Sequence, residues 1–301
     1  MNARQERSIL FSPVGDARHH ASLSDTCTYA NASKESVSVL AVVEEPSAWD
    51  RLAHSDHVER VERDQYSAWG TTINRWAREF DEVTAVEVRI ASTAKAIVER
   101  AIEIDASSIV LSVAHEREDL TIAKRVMRLS TRPVWVMRPT RAKARRILAA
   151  VNPEIAELDL NLEIMDAAAR LAGNLDASLV LMTAWELYGE QAMRRSAFLK
   201  TPAPQFHDLF DLREQISKRG LEELVSASST PAEWALHLEK GPPAPSILRA
   251  ALKHRSNLLV MGTVGRSGLN GLLMGNTAEH VLDGARCSIY SLRAPSKDAN
   301  G

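Results

Sequence analysis

The residues best suited to chemistry gather in one stretch of the 301-residue chain: Gly262-Thr263-Val264-Gly265-Arg266-Ser267-Gly268-Leu269-Asn270-Gly271-Leu272-Leu273-Met274-Gly275-Asn276-Thr277-Ala278-Glu279. Five of the 13 glycines fall there, so the backbone can approach a ligand closely. Glycine has no Cβ and tolerates positive φ, which lets successive amides close around an anion. Asn276 has the character of a helix N-cap, with Glu279 three positions on in the manner of a capping box. A helix amino terminus adds unsatisfied N–H groups and the positive end of a dipole, which suits phosphate. Thr277 and Ser267 add hydroxyls, and Arg266 adds a positive charge. The competing reading is a mobile surface loop whose glycines serve flexibility. Against it, the stretch begins at an apolar strand end and finishes at a capped helix. Neither a Walker A loop nor GxGxxG is present, so kinase-like and dinucleotide assignments lack support.

Such a loop needs a scaffold, and the sequence supplies one twice. Ser8-Ile9-Leu10-Phe11 and Arg146-Ile147-Leu148-Ala149-Ala150-Val151 are apolar runs too short for a helix and read as buried strands. Second strands follow at 37–43 and 178–182, and third strands at 85–90 and 235–239. The fourth strands, Ser108-Ile109-Val110-Leu111 and Leu258-Leu259-Val260-Met261, open 150 positions apart. Each follows a helix with matching apolar spacing, Ile97, Val98, Ala101 and Ile102 against Ile247, Leu248, Ala251 and Leu252. Fifth strands close the halves at 134–137 and 289–292. Between strands, Tyr66, Trp69, Ile73, Trp76 and Phe80 are expected to share one helical face, as are Leu158, Leu162, Met165, Ala169 and Ala172. Apolar strands alternating with helices predict an α/β fold: two tandem, doubly wound, five-stranded parallel-sheet domains. The domains are read as 1–140 and 145–296, with Pro139-Thr140-Arg141-Ala142-Lys143-Ala144-Arg145 as a solvated linker.

In such sheets ligands sit outside the strand carboxyl ends, where the glycine-rich stretch begins. The spacing Gly262-x2-Gly265-x9-Gly275-Asn276 resembles the G-x2-G-x9-G-(S/T/N) signature of the universal stress proteins, which bind ATP or AMP through it. Two such units in tandem, the loop intact only in the second, resemble the E-type members of that family. The resemblance implies that Gly262, Gly265, Gly275, Asn276 and Thr277, with Arg266 and Ala278, hold phosphates. It implies that Val151, Asn152 and Ala184 face the nucleoside. In the family the first strand ends in an aspartate near the nucleoside. Asn152 stands there in this chain; it hydrogen-bonds but carries no charge. The cofactor implied is ATP or AMP, with or without Mg, acting as a regulatory ligand of a stress-response protein. The resemblance also implies edge contact through the fifth strands, an intramolecular pseudo-dimer of the two domains. A further homodimer and a protein partner of unspecified identity stay open.

The first half acts as an internal control. At the 150-residue offset Ser112 replaces Gly262, His115 replaces Gly265 and Arg125 replaces Gly275. His115-Glu116-Arg117-Glu118-Asp119 also brings carboxylates where an anion would sit, and like charges repel. This half is expected to bind no nucleotide in the manner of the second.

Other signals point less far. His54-Ser55-Asp56-His57 could chelate a metal, but no third ligand is evident, so no metal site is assigned. The segment 185–211, rich in aromatic residues and proline, reads as a lid over an apolar small molecule or as an irregular insertion. An apolar-ligand carrier with a vestigial nucleotide loop is therefore an alternative function. A slow ATP hydrolase is another, although Gly265-Arg266-Ser267-Gly268 is not a G-x-S-x-G elbow and no catalytic residue stands out. A formal charge of −2 gives no field for nucleic acid or anionic membrane. Two distant cysteines, Cys27 and Cys287, fit a reducing compartment, with Cys287 as a core residue. With neither a signal peptide nor a membrane span read from the sequence, the expected location is the cytoplasm.

Overall fold

The computed structural model describes residues 7–15, 19–114, 117–138, 146–153, 158–190, 203–263 and 274–293. The first half runs β1 (Ser8–Val14), α1 (His19–Ser33), β2 (Ser36–Glu44), α2 (Ala48–Ala53), α3 (Ser55–Glu79), β3 (Val83–Ala91), α4 (Thr93–Glu103), β4 (Ser108–Val113), α5 (Arg117–Leu129) and β5 (Val134–Met137). The second half runs β6 (Arg146–Ala150), α6 (Leu158–Leu175), β7 (Ser178–Trp185), α7 (Ala203–Ala227), β8 (Trp234–Lys240), α8 (Pro243–Lys253), β9 (Leu258–Gly262), α9 (Asn276–Gly284) and β10 (Ser288–Leu292).

The chain packs into two compact units. In the first, strands lie in the order β3-β2-β1-β4-β5-β10. All neighbours are parallel except β10, which runs antiparallel to β5 with Ile289 opposite Val136 and Tyr290 opposite Trp135. Ser291 Oγ donates to the Val134 carbonyl at 3.0 Å, and the Trp135 and Tyr290 rings meet edge to face. Packing thus groups 286–293 with the first half, whereas the sequence repeat counts that strand in the second. The second unit has the parallel order β9-β6-β7-β8. In both, the chain steps outward from its first strand and then returns to that strand's other side. The strand order therefore reverses between β1 and β4, and between β6 and β9, which opens a crevice at their carboxyl ends.

Central strands are buried on both faces, as in β4, where every residue from Ser108 to Val113 is buried. The edge strands β3 and β8 are only half covered. Helices stop by a repeated device. Lys34, Asp105, Asp176 and Arg255 follow α1, α4, α6 and α8 with φ of 58, 48, 50 and 50°. After α4 the Ala106 N–H reaches the Ala101 carbonyl at 2.8 Å, and after α8 the Ser256 N–H reaches Ala251 at 2.9 Å. These are Schellman closures, made here without glycine.

The helical faces differ in part from the periodicity. On α6 the buried side is Leu160, Asn161, Ile164, Met165, Ala167, Ala168, Leu171 and Ala172, while Leu158 is exposed. The sheet covers a broader stripe than a single row of apolar residues. Ile102 and Leu252 are both exposed at the ends of their helices, and on α3 Tyr66 points to solvent while Ile73 and Trp76 are buried.

Candidate functional site

The crevice between β6 and β9 collects most of the expected residues. Register places Ala150 beside Met182 and Met261, so Val151 and Asn152 emerge between Ala184 on one side and Gly262 and Thr263 on the other. Val151 is buried, and its N–H donates to the Met182 carbonyl at 3.0 Å. The Asn152 backbone is held from both sides by one side chain: its N–H donates to Asn161 Oδ1 at 3.1 Å, and Asn161 Nδ2 donates to its carbonyl. Asn161 is not among the residues that motif spacing singles out. The signal for it in the sequence is a polar residue among the apolar positions of α6, where burial demands a hydrogen-bond partner. That bracket uses the Asn152 backbone and takes up none of its side-chain hydrogen-bonding groups.

Gly262 has a packing reason to be glycine as well as any binding role. A Cβ there would lie 2.9 Å from Leu160 Cδ2, so the bare backbone lets α6 settle against β9. Gly220 plays a similar part, since a Cβ would fall 2.8 Å from Pro153 Cβ; α7 thereby passes close to the loop after β6.

The chain leaves the sheet at Thr263, which is buried, and is tied again at Gly275, whose N–H donates to the Thr263 carbonyl at 2.8 Å. Gly265 and Arg266 lie outside the described residues. Gly275 itself is the N-cap of α9, with φ −69° and ψ 145°, and the Glu279 N–H donates to its carbonyl at 3.1 Å. This corrects the sequence assignment of the cap to Asn276. Asn276, Thr277 and Ala278 are the first three helical residues, and Glu279 falls one position too late for a capping box. A glycine cap offers no side-chain acceptor, so the first-turn amides keep no intrahelical partner. Asn276 is exposed, Thr277 half-buried and Ala278 buried, so Ala278 presents its backbone alone.

The matching crevice of the first unit is filled from within. Gly15, just past β1, has φ 71°, and a Cβ there would overlap the Asp119 carboxylate. Asp119 is buried and accepts the Ala114 N–H at 2.9 Å. Beside it the buried His19 ring contacts the Gly15 carbonyl through Nε2 at 2.8 Å and Ser112 Oγ through Nδ1 at 3.1 Å. The buried positions Ala123, Val126 and Met127 of α5 repeat Ala278, Val281 and Leu282 of α9. On that register the counterpart of Gly275 is Leu120, not Arg125. Helix α5 consequently begins about one turn earlier, and that extra turn carries Asp119 inward while Glu118 stays exposed. His115 and Glu116 lie outside the described residues.

At the far end of β7, Lys240 Nζ sits 3.7 Å from the Phe210 ring centroid and pairs with Glu190 at 3.0 Å, with Trp185 edge-on to Phe210. The last part of the expected 185–211 loop is helical, because α7 already starts at Ala203. A proline in the first turn, here Pro204, is compatible with that start. Burial pushes the Cys287 thiol up and the Cys27 thiol to about 12, which fits core residues. Among the described residues no group of three or more His, Cys, Asp or Glu could hold a metal ion, and no helix is long and apolar enough to cross a membrane.

Comparison with known proteins adds the family. The sequence model of the universal stress protein family matches residues 143–293. A universal stress protein of Methanocaldococcus jannaschii is 31% identical over 144 residues, covering 46% of this chain and 79% of that protein. A universal stress protein E homolog of Haemophilus influenzae is 27% identical over 164 residues, covering 51% of this chain and 49% of that protein. The crystal structure of a universal stress protein from Archaeoglobus fulgidus superposes with a TM-score of 0.62 at 14% identity, covering 98% of this chain and 99% of that one. The two-unit layout fits the E-type. With the family model spanning half its length and a relative matched over most of its own, the chain belongs to the universal stress protein family.

Proposed function

We propose that this stress-response protein binds an adenine nucleotide, ATP or AMP, as a regulatory ligand in its second half. The observation that carries the reading is the Thr263–Gly275 hydrogen bond, which sets a glycine-capped helix start at the mouth of the β6/β9 crevice. The residues fit a phosphate chain. Amides of Asn276, Thr277 and Ala278 are in the first helical turn, Thr277 is half-buried and brings a hydroxyl, and Gly262 and Gly275 carry no side chain to obstruct. In this reading Gly265 and Arg266 complete the phosphate cradle, and Val151, Asn152 and Ala184 border the nucleoside. Asn152, held by Asn161, can donate as well as accept, so it suits a neutral hydrogen-bonding edge. Magnesium would come with the phosphates rather than with a protein carboxylate.

A ligand that favours one conformer acts as a switch only through its differential affinity. We read the protein as cytoplasmic and as a binder, not an enzyme. Native mass spectrometry of the purified protein tests the ligand class, because an adenylate mass supports the reading and a lipid-like mass supports the apolar-carrier alternative. Calorimetric titration with ATP and AMP then measures affinity. Replacing Gly265 by valine is expected to abolish binding while the fold survives, and the same change at His115 to leave it unaltered. Retained affinity in Gly265→Val overturns the assigned loop, and sustained phosphate release overturns the non-catalytic reading.

A further inference from the structure

The crevice of the first unit is more than a lost site. Its floor is polar and buried: Ser112 and His19 are almost inaccessible, and the Ala114 N–H points to a carboxylate oxygen. A buried carboxylate is costly unless donors meet it. The fold delivers one there all the same, by lengthening α5 and by keeping a glycine at positive φ where any side chain would collide with it. Asp119 also stands in the first turn of its helix, where a negative charge meets the positive dipole end. A backbone N–H and the start of a helix both meet this carboxylate, so the anion in the crevice is part of the chain.

We propose that the β1/β4 crevice is a small-oxyanion site that the protein occupies with its own Asp119 carboxylate. A free carboxylate of the same size takes that place when the side chain is cut back. The first half is then held permanently in a filled state, whatever the nucleotide level. The inference does not depend on nucleotide binding by the second half, and its test uses no nucleotide.

The experiment is rescue of Asp119→Ala by formate in the full-length chain, at constant ionic strength with chloride as the replaced salt. The thermal midpoint of Asp119→Ala is expected below that of the parent, and to rise saturably with formate by roughly 2–4 °C. The parent chain and Asp119→Asn, whose amide still fills the crevice and still offers an oxygen to Ala114, are expected to show no saturable response. Equal responses in all three chains, or none in Asp119→Ala, overturn the proposal. Should Asp119→Ala fail to fold unaided, its refolding yield with and without formate decides between the same two outcomes, and Asp119→Ser provides a second chain with a shortened side chain.

Discussion

The carboxyl ends of β1 and β6 occupy the same place in two copies of one topology, yet they meet different neighbours. Past β6, the backbone of Asn152 is steadied by Asn161, and the following helix start is capped by a glycine that leaves its first amides without intrahelical partners. Past β1, Gly15 lies against the Asp119 carboxylate, and an extra turn of α5 covers the crevice. A second pair of positions diverged in the same way. Between β3 and α4, Arg89 and Arg100 pair with Glu87 and Glu103. At the positions of β8 that match Glu87 and Arg89, His237 bonds Glu239 at 3.0 Å and Glu239 pairs with Arg249, while the His237 ring stands 4.6 Å from that of His254, just past α8. The fold tolerates either solution because strand order and helix packing rest on the apolar positions. The polar ones are free to become a plug, a backbone bracket, an ion cluster or an imidazole pair.

The largest test of this contrast is at the two glycines. Gly15→Ala forces a side chain into positive φ and onto a buried carboxylate, and is expected to cost about 3 kcal/mol in urea unfolding. Gly262→Ala meets the terminal methyl of Leu160, which can turn aside, and is expected to cost about 1 kcal/mol. Equal costs would break the distinction between a glycine held against a buried carboxylate and one held against a movable side chain.

A medium effect is expected from pH. Burial holds the His254 pKa below its usual 6.5, with His237, Lys253 and Arg146 adding to the shift, and its Nε2 is a buried atom with no hydrogen-bond partner among the described residues. A lowered histidine pKa favours the neutral form in the folded state. Its stabilisation is present above 6.5 and is lost as pH falls through the folded value. Glu103 is held at about 2 by hydrogen bonds from Arg89 and Arg100, so its contribution is lost only below the usual 4.5. Between about pH 6.5 and 4.5, hydrogen exchange of 234–254 should therefore quicken while 83–103 stays protected. His254→Gln should remove the acid response, and parallel loosening of both segments would refute the assignment.

The smallest effect is expected at the cap. Asn276→Ala should change stability by under about 0.5 kcal/mol, since the residue is exposed and lies inside the helix. A loss nearer the roughly 0.5–2 kcal/mol of a true N-cap would restore the role read from sequence.

Much of the fold was legible in the chain. The strands at 134–137 and 289–292 match the folded limits to within a residue, because a short apolar run buried on both faces has few alternatives. The buried face of α6 was less legible, since Leu158 fits a helical period but lies at an exposed helix end. Asn161 stayed hidden for another reason: a polar residue looks solvated until a distant segment is seen to need its hydrogen bond. Asp119, by contrast, is already legible in the sequence as one of the carboxylates at the first crevice, and only its burial came from the fold. At the site, Gly275 was found by spacing but its role as cap was not, because asparagine is the stronger capping residue on local grounds.

Local periodicity and residue type were enough to set the ladder of strands and helices, its repetition, and the place where glycines gather. Those properties reach across only a few neighbours along the chain, which is the range over which backbone sterics and side-chain patterning act. Which of the polar groups turns inward at each crevice was decided by the folded chain, as with Asp119 rather than its exposed neighbour Glu118. The His19–Ser112 contact joins residues 93 positions apart, and the Thr263–Gly275 bond closes only once β9 and α9 are both in position. Such contacts depend on strand order and helix length together, so two crevices built by one repeat came to hold a carboxylate in one case and a glycine-capped helix start in the other.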